Sequence, residues 1–412
     1  MHMSRMRFGL VATLLVTAAS LLGRRQRERP EPESEYRSGR FWRTFEAAAQ
    51  AIDQRRGWDK LPIPLGLAVL AGIRDILRKT NLYDTRKAPT VNEPPLLAPD
   101  TRYTTQRAPD GSYNDLEDPA MGRAGHRFGR NVPLERTWPE PEPPIMQPNP
   151  RVVSRKLLTR EEFTPAPSVN NLAAAWLQFM VHDWFSHGKG DKTKPWRLPI
   201  EGGDPWPQKP MEIPRTIPDP TRPPGHSDYP PTFLNTETAW WDASQLYGVS
   251  LEHQQRARTF KDGKLNVGLE GRPPHSSSPD PQSDPTKEPG FWMGILMLGT
   301  LFQREHNAIC DRLKSEYPHY DDEELFQLAR LICGALQAKI HTMEWTPAVI
   351  AHPTMKIGMR VNWERSSCTT SRASCRSTSV PTGSYRISRQ WTSCESARSA
   401  SRATASFVAS FT

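Results

Sequence analysis

The stretch NNLAAAWLQFMVHDWFSHG, residues Asn170–Gly188, predicts a helix that carries polar side chains into apolar surroundings. No Pro or Gly interrupts it before its last residue, and apolar residues recur at helical spacing at Leu172, Trp176, Phe179, Met180 and Val181. Gln178 and His182 stand four residues apart, so both project from one helix face, and Asp183 follows at once. A buried polar group without a partner costs roughly 1–3 kcal/mol. Protein hydrogen bonds, a metal ion or a redox cofactor could each supply that partner.

A second stretch, NTETAWWDASQLYG (Asn235–Gly248), alternates residues that offer oxygen atoms. In an extended backbone every second residue points the same way, so these oxygens would face one point. The residues concerned are Thr238, Trp240, Asp242 and Ser244. Hard oxygen ligands that include a carboxylate suit Ca²⁺. A short strand with one polar face is the alternative interpretation.

A third stretch, Gly294–Ile350, reads as two long amphipathic helices separated by a turn at Tyr317–Tyr320. Asp321 and Asp322 stand near the start of the second helix, where carboxylates favour a helix N-terminus. The first of the two helices carries a dense polar cluster within apolar surroundings, and its members are Arg304, Glu305, His306 and Asn307.

Together these three stretches resemble the animal-type haem peroxidase and cyclooxygenase superfamily, and within it the fatty-acid alpha-dioxygenase branch most. The motifs QFMVHDW, TAWWDASQLYG, LFQREHN and EWTP are specific in this order, although each alone is weak. Further similarity lies in Leu61–Thr85, Asp110–Leu134 and Asn149–Arg160. The resemblance covers roughly residues 58–363 and implies a mainly α-helical, haem peroxidase fold that lacks its C-terminal half.

The resemblance implies a role for each matching residue. His182 corresponds to the distal histidine over haem b, with Gln178 beside it, and would move a proton during cleavage of bound peroxide. The implied calcium ligands are Asp183, Thr238, Trp240 through its carbonyl, Asp242 and Ser244. His306 corresponds to a residue that helps to hold a fatty-acid carboxylate, while a purely structural role for the Arg304–Asn307 cluster is an equal alternative.

The implied activity is oxygenation of a fatty acid, with hydrogen peroxide and O₂ as further reactants. A tyrosyl radical formed at the haem would take a hydrogen atom from the substrate, and O₂ would add to the carbon radical. A haem peroxidase of small reductants is the first alternative, and a non-catalytic truncated product is the second. A zinc hydrolase does not fit, because His182 and His187 lie on different helix faces and no HExxH motif exists.

The chain departs from the family pattern after Trp363. From Arg365 onward it contains no Leu, Lys, Asp or His, and Ser, Thr and Arg dominate. Such a composition cannot bury enough apolar surface to fold, so we expect residues 364–412 to be a disordered tail. The abrupt change indicates a shifted reading frame, and an evolved low-complexity basic tail is the alternative.

The proximal half of the haem site is missing from the sequence. The family places its axial histidine and its radical tyrosine in a Tyr-x-x-His segment, whereas Tyr385 is followed three residues later by Ser388. His341 and His352 do not match the axial ligand, and the family counterpart of His341 only packs. We therefore expect no proximal haem ligand in this chain, and an inactive product.

The net charge of +9 does not indicate a nucleic-acid partner. Seven Arg and one Glu from Arg365 onward account for +6 of it, and no nucleic-acid-binding module is recognisable. The five cysteines follow no pattern, and two of them, Cys310 and Cys333, fall in predicted helices. This distribution argues against a disulfide framework.

The N-terminal residues 1–57 form an apolar segment followed by a charged linker. Phe8–Leu22 is apolar and flanked by arginines, and Leu61–Ile73 is a second apolar stretch that either meets lipid or packs in the interior. From these two stretches we expect association with a membrane surface without a true span. A cytoplasmic location is the alternative.

Overall fold

The computed structural model describes residues 39–80, 83, 85, 88–166, 169–225, 228–267 and 292–360. These residues belong to two compact units. The first contains residues up to 83, together with 130–133 and 349–360; the second contains 84–129 and 134–348. The tail at 364–412 and the segment Phe8–Leu22 lie outside the described residues. The domain boundaries placed at residues 57 and 363 stay predictions.

The first unit is built on helices α1 (Arg40–Arg56) and α2 (Ile63–Thr80), with a further helical stretch at 353–360. The two long helices approach closely at Gly72, where an added Cβ atom would lie 2.5 Å from the Cβ of Ala49. His352 belongs to this unit, because its imidazole bonds the Asp59 carbonyl at 2.8 Å and meets the Trp58 ring edge-on.

The prediction of membrane association is wrong. In the part of the chain that the structure describes, no helix is long and apolar enough to cross a membrane. The apolar stretch at 61–73 instead buries part of its side chains inside the first unit, at Leu61 and Val69. The interior-packing alternative is the one that the contacts of α2 support.

The second unit is mainly helical. Its helices are α3 (Pro150–Leu158), α4 (Asn171–Trp184), α5 (Ser244–Tyr247), α6 (Leu251–Ala257), α7 (Met293–Glu316) and α8 (Asp322–Ile340), followed by a π-helical turn (His341–Trp345) and α9 (Thr346–Val349). Strands β1 (Asp191–Leu198) and β2 (Met211–Arg215) form an antiparallel pair. The pairing is irregular between Asp191 and Trp196, the interval that contains Pro195, which has no N–H for the ladder.

The predicted helices are confirmed, although α4 ends at Trp184 rather than at Gly188 and α8 ends at Ile340 rather than at Ile350. Asn170 caps α4, because its side chain accepts from the backbone N–H of Leu172 at 2.9 Å. Asp321 opens α8 with a capping box, since its side chain accepts from Glu324 N and the Glu324 side chain accepts from Asp321 N. The predicted turn therefore lies between α7 and α8.

Helix α4 packs against α7 through aromatic side chains. The Phe179 and Phe302 rings stack with centroids 5.6 Å apart, and Trp176 lies 5.9 Å from Phe302. All three are almost fully buried, and burial of such side chains is worth roughly 1.5–3 kcal/mol each. This contact fixes the orientation of α4, and with it the positions of Gln178, His182 and Asp183.

Candidate active site

Gln178 and His182 lie on the same face of α4, as their spacing predicts. The Gln178 side-chain oxygen accepts a hydrogen bond from the Trp292 indole N–H at 2.7 Å. The His182 side chain is exposed, and within the described residues no hydrogen bond to its imidazole is found. Partial burial by neighbouring atoms still lowers the pKa of His182, because it disfavours the charged form. His182 is thus a neutral imidazole on an accessible helix face.

Asp183 points the other way, into the protein. Its side chain is buried, and its Oδ1 atom accepts from the backbone N–H of Ser244 at 2.6 Å and from the Ser244 hydroxyl at 3.0 Å. Its second oxygen, Oδ2, has no hydrogen-bond partner among the described residues. Asp183 therefore joins α4 to the first residue of α5 and leaves one carboxylate oxygen open.

Thr238 and Asp242 approach the same place from the preceding loop. The Thr238 hydroxyl donates to Asp242 Oδ1 at 2.8 Å, and both side chains are buried. Asp242 Oδ2, like its counterpart on Asp183, lacks a partner within the described part of the chain. We call the group Asp183, Thr238, Asp242 and Ser244 the carboxylate cluster.

The extended backbone expected for this loop is not found. Residues 236–242 follow a series of bends, and Ala243 has a φ of 59°, in the left-handed region, immediately before α5 begins. The turn at Ala243 places the Ser244 N–H against Asp183, and the bends let Thr238 reach Asp242 four residues on. The structure thus brings these residues together by bending the loop rather than by alternation.

Trp240 contributes to the loop through its ring. The indole N–H donates to the Met121 carbonyl at 2.9 Å, and the ring lies against Gly122, where an added Cβ atom would come within 2.8 Å of the indole nitrogen. Gly122 also has a φ of 65°, so a side chain there would be strained as well as obstructed. The carbonyl role of Trp240 stays a prediction.

The two carboxylates of the cluster repel each other in a buried setting. Burial, followed by the charge of Asp242, raises the pKa of Asp183 well above its usual value. Burial also raises the pKa of Asp242, although the Arg330 guanidinium and the Thr238 hydroxyl act in the opposite direction. Arg330 is itself buried, and its guanidinium donates to the Arg107 carbonyl at 3.0 Å. One buried cation thus faces two buried acids.

His306 lies in a separate, fully buried network. The Tyr247 hydroxyl contacts His306 Nδ1 at 2.8 Å, and His306 Nε2 contacts the Gly263 carbonyl at 2.9 Å. A neutral ring protonated on Nε2 satisfies both contacts, and burial lowers the pKa of His306 to about 4. We call His306, Tyr247, Gly263 and the adjacent Cys310 the His306 network. The substrate-binding role of His306 stays a prediction that this closed geometry does not favour.

The rest of the polar cluster on α7 divides between surface and interior. Arg304 is exposed, whereas Asn307 pairs with the backbone of Leu265, accepting from its N–H at 2.8 Å and donating to its carbonyl at 3.1 Å. Burial raises the pKa of Glu305. Asn307 therefore fixes the 263–265 segment over α7, as a structural residue does.

His341, to which the family resemblance assigned only packing, has an unusual environment. Its imidazole lies among four indole rings that come from three separate parts of the chain, Trp176, Trp184, Trp241 and Trp345, which we call the tryptophan cluster. It also begins the π-helical turn, a distortion often found at functional sites. The only sequence signal was the abundance of tryptophan in the same motifs that carry His182 and Asp242.

The described residues contain no group of three or more His, Cys, Asp or Glu side chains placed to hold a metal ion. A cation at the carboxylate cluster would therefore depend on two carboxylates supplemented by hydroxyl and carbonyl oxygens. That donor set is hard and oxygen-only, which excludes the usual zinc chemistry of Cys and His ligands.

This mainly helical fold, with an accessible histidine on a helix anchored by a buried aspartate, is of the haem peroxidase type. The family model for animal haem peroxidases matches residues 106–404, which includes part of the 364–412 segment. The chain belongs to the animal haem peroxidase family. Membership of this family implies haem as the cofactor and an oxidoreductase class of chemistry.

Relatives and solved structures point to one branch of the family. The chain is 36% identical to alpha-dioxygenase 1 of Capsicum annuum over 315 residues, which are 76% of this chain and 46% of the relative. A fatty acid alpha-dioxygenase of Oryza sativa solved with palmitic acid is similar with a TM-score of 0.64 at 32% identity, over 81% of this chain and 53% of that one. The Arabidopsis thaliana enzyme gives 0.65 at 30% identity, over 86% and 53%. The chain thus spans about half the length of these proteins.

Proposed function

We propose that this chain carries the distal half of a haem-dependent fatty-acid dioxygenase site. The observation that carries the proposal is the pair His182 and Gln178 on one accessible face of α4, with Asp183 anchoring the opposite face of the same helix. The relatives described above are alpha-dioxygenases, and the rice enzyme was solved with palmitic acid. A long-chain fatty acid is therefore the substrate class that we assign.

His182 acts as the proton carrier in this proposal. Bound haem would supply the chemistry that activates peroxide. The neutral imidazole of His182, kept neutral by its lowered pKa, takes a proton from one peroxide oxygen and returns it to the leaving oxygen. The Gln178 amide, held by Trp292, keeps the polar face next to His182 in place. General acid–base catalysis of this kind typically contributes 10²–10⁴-fold in rate.

Oxygenation needs two groups that this sequence does not contain. No Tyr-x-x-His segment occurs in the 412 residues, so neither a radical tyrosine nor an axial histidine is available in the family position. In the complete activity that we propose, the tyrosyl radical removes a hydrogen atom from the fatty acid, and O₂ adds to the resulting carbon radical. This chain would contribute the peroxide-cleaving half alone.

Calcium is the second ligand that we propose, at the carboxylate cluster. The residues fit the ion, because two buried carboxylate oxygens, Asp183 Oδ2 and Asp242 Oδ2, have no partner among the described residues. Two hydroxyls, those of Thr238 and Ser244, lie in the same cluster, and the Trp240 carbonyl is the further ligand. Such a cation would offset the repulsion that raises both carboxyl pKa values, and it would fix α4 beside His182.

The test is haem titration followed by absorption spectroscopy. The 412-residue chain should show no stoichiometric haem, whereas the same distal half joined to the second half of the rice relative should bind it. In the joined protein, His182→Ala should slow peroxide cleavage by roughly 10²–10⁴-fold. His187→Ala, at an exposed histidine just beyond α4, is the matched control and should leave the rate unchanged.

Two outcomes would overturn the proposal. A histidine-ligated haem spectrum from the 412-residue chain by itself would show that the proximal ligand lies elsewhere. Full peroxide turnover in His182→Ala would show that His182 does not carry the proton. Oxidation of small phenols without oxygenation of palmitic acid would instead favour the peroxidase alternative.

A further inference from the structure

The tryptophan cluster is centred on the imidazole of His341. The Trp345 ring stacks on it with centroids 4.6 Å apart, and Trp184 and Trp241 meet it edge-on at 5.2 and 5.3 Å. Trp184 and Trp241 also contact each other at 4.9 Å. Because the imidazole fills the centre, the cluster is not an aromatic cage for a cationic ligand. It is a continuous set of oxidisable rings around a base.

One contact in the cluster joins a proton donor to a base. The Trp176 indole N–H donates to His341 Nδ1 at 3.2 Å, and Trp176 is fully buried. Burial lowers the pKa of His341 to about 4, so its ring is neutral near pH 7. Oxidation of an indole makes its N–H strongly acidic, and here an unprotonated nitrogen already accepts that hydrogen.

We propose that the tryptophan cluster is an electron relay in which Trp176 is oxidised while its indole proton passes to His341. One electron leaves the Trp176 ring for a one-electron oxidant, which is reduced by one equivalent. The Nε1–H bond breaks and an Nδ1–H bond forms, which leaves a neutral tryptophanyl radical and an imidazolium. An electron and the same proton then return to Trp176.

The position of the cluster suits such a relay. Trp176 and Trp184 lie on α4, the helix that carries His182, and Trp176 is on the buried face of that helix, which it shares with Asp183. The other end is accessible, because Trp184, Trp241 and Trp345 are each partly exposed while Trp176 is not. A reductant in solution can therefore refill the outer rings. In the cell, the one-electron oxidant would be a haem that has reacted with peroxide. This source of the oxidant rests on the proposed function.

Photo-oxidation of the haem-free chain tests the relay directly. A ruthenium tris-bipyridine sensitiser with persulfate as electron acceptor supplies the oxidant, and optical and EPR spectra of frozen samples identify the radical. We expect a long-lived neutral tryptophanyl radical that Trp176→Phe largely removes. Trp138→Phe, at a tryptophan 47% exposed and outside the cluster, is the matched control and should leave the signal unchanged.

His341→Gln separates a redox role from packing. The amide oxygen can still accept the indole hydrogen bond but is not a base, so the radical should shift from the neutral to the cationic form. A purely structural role would not change the protonation state of the radical. Circular dichroism checks the fold of each variant. Trp345→Phe, at the partly exposed ring that stacks on His341, gives a second measurement. The radical should decay more slowly in this variant, because one of the outer rings that return the electron is removed.

Equal radical yields in Trp176→Phe and Trp138→Phe, or a neutral radical that persists in His341→Gln, would overturn the relay and leave the cluster as packing. This outcome is distinct from failure of the proposed function. Absence of haem binding by the joined protein would contradict the distal-site assignment, whereas the photo-oxidation result does not depend on haem.

Discussion

The carboxylate cluster and the His306 network are both buried and polar, but only one of them is complete. In the His306 network both ring nitrogens have partners, Tyr247 and Gly263, and the ring carries no charge. In the carboxylate cluster Asp183 and Asp242 each keep an oxygen without a partner among the described residues. A complete network stabilises the fold by itself, whereas an incomplete one indicates a ligand, because unpaired buried acceptors are costly.

The carboxylate cluster and the His306 network also differ in their electrostatics. Burial keeps His306 neutral, so no charge is desolvated there. The carboxylate cluster instead holds two acids that repel each other, with Arg330 as the buried cation that partly compensates Asp242. A bound cation would therefore strongly stabilise the carboxylate cluster and would leave the His306 network almost unaffected. The predictions below use that contrast.

The largest effect is expected from the complete network. His306→Ala removes a fully buried ring, leaves a cavity and leaves the Tyr247 hydroxyl without its acceptor, so we expect a loss of about 3–5 kcal/mol in the free energy of unfolding. Urea unfolding followed by circular dichroism measures it. The control is His187→Ala, which removes an exposed ring that contacts Phe128 and Phe233 and should cost about 1 kcal/mol or less. A loss below about 1 kcal/mol in His306→Ala would mean that the network contributes little.

Calcium should act on the other cluster alone. At a concentration a hundredfold above its dissociation constant, calcium should stabilise the chain by about 3 kcal/mol, and Asp242→Asn should abolish that gain. Without calcium the same substitution should stabilise the chain, because it removes one of two repelling buried charges. Thermal unfolding with calcium and with chelator measures both effects.

Asp219→Asn is the matched control for that experiment. Asp219 is also buried, but its carboxylate is paired with Arg127 at 2.6 Å and accepts from the Thr221 and Thr232 hydroxyls. Its replacement should destabilise the chain by about 3–5 kcal/mol, by leaving Arg127 unpaired, while the calcium response remains. A calcium response that survives in Asp242→Asn would place the ion elsewhere.

Local sequence pattern predicted the helices well and the contacts between them poorly. The apolar spacing of α4 and the acidic start of α8 are local signals, and both helices begin at the predicted positions, whereas they end earlier than predicted, at Trp184 and Ile340. The contact of Asp183 with Ser244 joins residues 61 apart and depends on the left-handed turn at Ala243, which no periodicity reveals. The resemblance to a family predicted that those residues lie together. The extended loop inferred from alternating residues was expected to bring them together, but the loop is bent.

The two histidines show the same limit. His306 stands in the polar run Arg304–Asn307 and His341 follows the apolar Ile340, but neither pattern shows which residues surround the ring. Their difference is tertiary: one is enclosed by Tyr247 and Gly263, and the other by tryptophans from three parts of the chain. Such neighbours follow from packing rather than from spacing. The different roles given to the two residues, substrate binding for His306 and packing for His341, came from the resemblance to a family and not from their local patterns.

The pH dependence of stability should differ in sign between the two groups. A buried histidine with a pKa of about 4 binds its proton less tightly in the folded chain, so stability is lost as the pH falls from about 6.5 towards 4. Carboxyls with raised pKa values bind protons more tightly when folded, so the metal-free chain loses stability as the pH rises above about 3.8. Each pKa unit of difference is worth about 1.4 kcal/mol.

Calcium should abolish the loss of stability that the carboxyls cause as the pH rises, and it should leave the loss that His306 causes as the pH falls. The ion favours the ionised carboxylates and thereby lowers their pKa values in the folded chain, but it does not contact His306. Melting temperatures between pH 4 and 8, with calcium and with chelator, test the separation. If stability still falls with rising pH when calcium is present, the assignment of the ion to the carboxylate cluster is contradicted.

The smallest effect concerns Thr238, the neutral member of the cluster. Thr238→Val keeps the shape of the buried side chain but removes the hydroxyl that donates to Asp242 Oδ1 at 2.8 Å, so the metal-free chain should lose about 1 kcal/mol at neutral pH. If the hydroxyl oxygen also binds calcium, the affinity measured by calorimetry should fall about tenfold, or 1.4 kcal/mol. Thr238→Ser keeps the hydroxyl and should preserve most of that affinity. An unchanged affinity in Thr238→Val would restrict Thr238 to holding Asp242 in position, and the ion would then depend on the two carboxylates, Ser244 and the loop carbonyl.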